Sequence, residues 1–108
     1  MMNFDEFKEM IVVEMEQRVG VGNVAIERIT KNNATQMNGL IIQENNRNMA
    51  PVINLDSFYK ELREKPFSLL VDEIWKLYQS GKTKSDIDLS TFLNWESFKD
   101  KVVMKVIN

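Results

Sequence analysis

The sequence contains no histidine and no cysteine. These absences exclude thiolate and imidazole nucleophiles, imidazole acid–base catalysis, disulfides, and zinc sites built on Cys or His. What remains is carboxylates, hydroxyls, lysine, arginine and tyrosine. The densest oxygen-rich run is Asp86-Ile87-Asp88-Leu89-Ser90. A calcium loop starting at Asp86 needs glycine at its sixth position and glutamate at its twelfth. Thr91 and Ser97 stand there instead. The run reads as a solvated loop that caps a following helix.

Other clusters also have an ordinary structural reading. Asn32, Asn33, Asn45, Asn46 and Asn48 could line a polar binding edge, but tight turns select asparagine because it tolerates positive φ. Arg28, Lys31 and Arg47 are scattered cations with no aromatic residues interleaved, unlike a single-strand nucleic-acid surface. Trp75, Tyr78, Trp95 and Phe98 lie at helical spacing and read chiefly as core. Trp75 stands beside the apolar stripe rather than within it, which makes it a candidate interface anchor. No catalytic residues, cofactor-binding residues or metal ligands are assigned. No cofactor is expected, and an enzyme is not.

The elements that would carry these residues follow from periodicity. Residues 3–19 read as a helix: Asn3 and Glu6 form a capping-box pair, and Phe4, Phe7, Ile11 and Met15 recur on one stripe. Gly20 or Gly22 suits the stop. Residues 24–29, 35–43 and 49–55 are β-branched runs separated by Asn-rich turns, giving a three-stranded antiparallel meander. Gly39 within the second strand suggests a bulge or a close approach, and Pro51 places the third strand at an edge, or itself at that strand's outer side. Asp56 is expected to cap a short helix carrying Phe58, Tyr59 and Leu62. Pro66 suits equally the end of that helix or the first turn of the next, which carries Phe67, Leu70, Val71, Ile74, Leu77 and Tyr78 on one face and is closed by Gly81. Asn94 should cap a last helix through Trp95, Phe98, Val102 and Val106.

The fold class is therefore α+β in a single domain over residues 1–108. An N-terminal helix and the meander are followed by about three helices packed on one face of the sheet. The length of 108 residues and the apolar fraction of 44% suit one core. The last helix runs to Asn108 with no tail, as in a domain cut from a longer protein.

The net charge of −2 shows no basic stripe, so nucleic acid is not an expected partner. The order helix–meander–helix also occurs in double-stranded-RNA-binding domains, but the helix after the sheet there begins Lys-rich. Here it begins Leu55-Asp56-Ser57. No signal segment opens the chain, and no apolar run approaches the ~18–20 residues that span a bilayer. No membrane partner is expected, and a cytoplasmic location is.

Several short stretches recur together in one family: Met2-Asn3-Phe4-Asp5-Glu6-Phe7, Ile29-Thr30-Lys31-Asn32-Asn33, Asn38-Gly39-Leu40, and Pro51-Val52-Ile53-Asn54-Leu55 with Phe58-Tyr59. In these the chain resembles the N-terminal region of an uncharacterised protein family of anaerobic, gut-type bacteria, known only as a domain of unknown function. The resemblance implies no activity, substrate or site residues. The leading expectation is a non-catalytic interaction or structural module of a larger cytoplasmic bacterial protein. It would bind a protein partner, or a copy of itself, through the edge of the third strand at Val52 or through Trp75. One rival is part of an enzyme or ligand-binding protein whose site is completed by a missing C-terminal region. Another is a nucleic-acid-associated accessory domain.

Overall fold

The computed structural model describes residues 2–31, 34–43, 49–82 and 101–106. Helix α1 (Phe4–Val19) leads into strands β1 (Val24–Lys31), β2 (Thr35–Ile42) and β3 (Met49–Asn54). Helices α2 (Leu55–Glu61) and α3 (Phe67–Lys82) follow, then strand β4 (Val102–Val106). The four strands form one antiparallel sheet in the order β1-β2-β3-β4.

α1 begins as its capping box requires. The Asn3 side chain accepts from the Glu6 backbone N–H at 2.8 Å, and the Glu6 carboxylate accepts from the Asn3 N–H at 3.3 Å. The helix stops at Gly20, whose φ of 100° is open to glycine at little cost. The stripe Phe7, Ile11 and Met15 is fully buried. It packs with Leu40, Ile42 and Ile53 from the sheet, Leu55 and Phe58 from α2, and Leu70, Ile74 and Tyr78 from α3. All three helices thus share one face of the sheet. On the other face Met37, Ile41 and Val52 form a smaller buried cluster with Ile29 and Val103 against it.

The sheet departs from the expected meander in having a fourth strand. Val102 and Val106, expected on a closing helix, lie in β4, and Ile53 faces Val102 across the ladder. Val102, Val103 and Val106 are β-branched and suit a pleated surface better than a helix. The rest of that helix, including Asn94, Trp95 and Phe98, lies outside the described residues. So do the Asp86–Ser90 run and the turn asparagines 32, 33, 45, 46 and 48.

β3 is therefore an inner strand, and its proline needs a different explanation. The Asn54 N–H donates to the Lys101 carbonyl at 2.8 Å, so Asn54 points its backbone groups toward β4. Backbone groups alternate sides along a strand, which turns Pro51 toward β2. The β2–β3 ladder ends one residue earlier, at Ile41 opposite Val52. The donor that Pro51 lacks falls where pairing has already stopped.

The start of α2 also differs from the sequence reading. Asn54, not Asp56, is the cap, accepting from the Asp56 and Ser57 N–H groups. The Asp56 carboxylate instead accepts from the Asn38 backbone N–H at 2.7 Å and from the Asn38 side-chain amide at 3.1 Å. It takes up the β2 donor next to the end of the ladder, where β3 gives way to α2.

Candidate functional site

Of the two residues singled out for an interface, Val52 is fully buried among Met37 and Ile41. β4 pairs along β3 with Val103 opposite Val52, so the edge expected at Met49–Asn54 does not exist. A charge at Val52 would disrupt the core rather than probe a surface. Trp75 is half-buried against the main core. Its ring lies 5.5 Å from that of Tyr78, and the Arg18 guanidinium sits 5.6 Å above it. The indole joins the last turn of α1 to α3, a role within the chain. Val52 and Trp75 belong to different clusters and form no joint surface.

Moving the edge from β3 to the ends of the sheet directs attention to β1. All eight of its residues pair with β2, from Val24 opposite Ile42 to Lys31 opposite Thr35. One hydrogen bond fixes which groups point outward. The Gln43 N–H donates to the Asn23 carbonyl at 2.7 Å, so odd-numbered residues bond inward to β2. By alternation, Val24, Ile26, Arg28 and Thr30 turn their N–H and C=O groups to the outer side. Among the described residues no strand pairs with that side.

The same residues border a groove of about 790 Å³ between β1 and α1. Ile26 and Arg28 contribute side chains from β1, with Asn38 behind them and Val12 and Val13 across from them on α1. Asp5, Lys8 and Glu9 form its charged rim from α1. Lys8 is paired with Asp5 at 3.3 Å, and Arg28 donates to the Gln36 side chain at 2.8 Å. Val13, with Met10 close by on α1, is an exposed apolar residue, at 53% of its full area. No sequence signal singled out this groove. It depends on β1 standing at the end of the sheet among the described residues, and a strand's rank in a sheet is not written in its own residues.

The charged residues closest to a catalytic constellation lie elsewhere. Lys65 bridges Glu61 at 3.2 Å and Glu73 at 3.0 Å, and Lys101 also pairs with Glu61. The Lys101 ammonium lies 4.8 Å from the centre of the Phe58 ring. Burial alone would raise the Glu61 pKa, but hydrogen bonds from Lys101 and Lys65 outweigh it and hold the carboxyl below its usual range. Hydrogen bonds to Glu73 and Glu61 push Lys65 up. Each shift favours the charged form, which suits a clamp joining α2, α3 and the start of β4 rather than a proton-transfer pair. Among the described residues no three carboxylates gather as metal ligands do. Among them, too, no helix is long and apolar enough to cross a membrane.

A family model described as a family of unknown function (DUF5688) matches residues 4–108. The chain belongs to that family, which bears out the resemblance to a family of unknown function and nothing finer. No curated protein and no solved structure matches it.

Proposed function

We propose that the chain is a non-catalytic protein-interaction module that takes an extended segment of a partner along the outer edge of β1. One observation carries the reading: the backbone groups turned outward at Ile26 and Arg28 belong to the residues whose side chains line the α1–β1 groove. A strand added to β1 would gain main-chain hydrogen bonds, and its alternate side chains would enter the groove. The charged cluster at Glu61, Lys65 and Glu73 is taken up by ion pairs, which favours a binding role over a catalytic one.

The reading is tested by selecting random displayed peptides against the chain and mapping the enriched ones by amide chemical shifts. Peptides that shift Val24, Ile26 and Thr30, and that no longer bind an Arg28→Pro variant, support it. Proline at position 28 removes an outward donor and leaves the inward ladder intact. Enriched peptides that bind elsewhere and ignore Arg28→Pro would overturn it.

A further inference from the structure

Away from β1, a cavity of about 450 Å³ opens at the end of α2, lined among the described residues by Tyr59, Lys60, Leu62 and Arg63. Its apolar wall is held in place. The Tyr59 hydroxyl donates to the Met2 carbonyl at 3.2 Å, and its ring lies 4.9 Å from that of Phe4 and 5.4 Å from that of Phe7. Leu62 keeps helical geometry at the C-cap, its N–H donating to the Tyr59 carbonyl at 3.1 Å. The turn therefore continues past the last helical residue, and side chains three apart share a side. Lys60 and Arg63 stand one such turn apart, both exposed and both on the cavity.

The acids that would ordinarily neutralise these cations are engaged elsewhere. Asp56, four residues before Lys60, accepts from the Asn38 backbone N–H and side-chain amide. Glu61 pairs with Lys65 and Lys101. Among the described residues no carboxylate, Glu64 included, forms an ion pair with Lys60 or Arg63. The negative end of the α2 dipole favours a cation here, but it amounts to about half a charge against two whole ones. Like charges one turn apart repel each other. The cavity thus joins two unneutralised cations to an apolar wall, and its volume lies within the roughly 300–1,000 Å³ of small-molecule sites. A phosphate monoester carries about −1.5 to −2 charge at neutral pH and accepts from both an arginine fork and a lysine. It balances two cations where a carboxylate balances one. We infer that this cavity binds a small phosphate monoester, with its dianionic head between Lys60 and Arg63 and an apolar body against Tyr59 and Leu62. The site is separate from the β1 edge and does not depend on strand docking there.

The probe is phenyl phosphate, titrated to millimolar concentration against the native chain and a variant carrying Lys60→Gln and Arg63→Gln, following amide shifts. Both substitutions fall at exposed positions, and amides away from α2 that match the native chain establish that the variant is folded. Benzoate and inorganic phosphate are titrated alongside. The inference expects saturable shifts at Tyr59, Lys60, Leu62 and Arg63, with phenyl phosphate bound about five-fold more tightly than either comparison compound and about ten-fold more weakly by the variant. No shifts at these residues, or undiminished binding by the variant, would overturn the site. Benzoate bound as tightly as phenyl phosphate would overturn the dianionic head, and inorganic phosphate bound as tightly would overturn the apolar body. A phosphotyrosyl peptide bound more tightly than phenyl phosphate would overturn the assignment to a small molecule.

Discussion

Gly81 of α3 lies so close to Pro51 of β3 that a β-carbon on Gly81 would come within 2.7 Å of the proline ring. Gly81 does not close the helix, which continues to Lys82 without a positive φ at this residue. Its lack of a side chain lets α3 settle onto β3 at the point where the β2–β3 ladder ends.

Gly81→Ala therefore sets two effects against each other. Alanine in a helix interior is worth about 1 kcal/mol over glycine. Forcing a methyl into a filled, rigid contact costs about 1–3 kcal/mol. Because the obstacle is a ring on an inner strand, the clash should win, and urea denaturation should show a net loss of about 1 kcal/mol. A gain in stability would mean that α3 can slide.

Gly39 makes the corresponding close approach on the opposite face. A β-carbon there would lie 2.5 Å from Val52 Cγ1 and 2.8 Å from Ile29 Cδ1. The strand runs through Gly39 in unbroken register opposite Glu27, so the residue marks a close approach and not a bulge. Gly39→Ala should cost about 1–3 kcal/mol. Adding Val52→Ala should recover part of that loss, a coupling that a double-mutant cycle reads directly.

Asp56 holds a backbone N–H of β2 that would otherwise lack its hydrogen bond. Asp56→Ala should destabilise by about 1–3 kcal/mol, whereas Asp56→Asn, which keeps an oxygen acceptor, should cost less. The cap is a separate contribution: Asn54→Ala should cost about 1 kcal/mol. Equal losses for the two Asp56 variants in thermal melts would contradict the assigned hydrogen bond.

The clamp around Glu61 predicts an acid limb in the stability curve. Its folded-state pKa is lowered, so its contribution is complete above the unfolded value of about 4.3 and fades as pH falls through the folded value. Glu61→Gln should be less stable than the native chain at pH 7, and the gap should close in acid. Lys65 has the opposite sign, because its pKa is raised. Its contribution holds below about 10.4 and is lost as pH rises through the folded value. Its side chain is 35% exposed, so solvent screening keeps that effect small.

Local signals in the sequence carried most of the local structure. The Asn3–Glu6 box, the Phe7–Ile11–Met15 stripe and the β-branched runs of β1 to β3 each depend on neighbours within a turn or a hairpin, and each is found as read. What failed depended on distant pairing. Val102 and Val106 fit helical spacing with Trp95 and Phe98, and only their pairing with β3 makes them a strand. Once β4 occupies that side, Pro51 no longer marks an edge and Val52 is core. The groove at β1 was hidden for the same reason, since its lining joins α1 to the strand at the end of the sheet among the described residues.

The central claim is that the outer edge of β1 receives a foreign strand. Its most direct test is amide-resolved titration of the native chain and of Arg28→Pro with a peptide enriched by display against the native chain. The account predicts saturable shifts at Val24, Ile26 and Thr30 in the native chain, and at least a ten-fold loss of affinity in a folded Arg28→Pro variant. Undiminished binding by that variant, or shifts confined to residues away from β1, would contradict it.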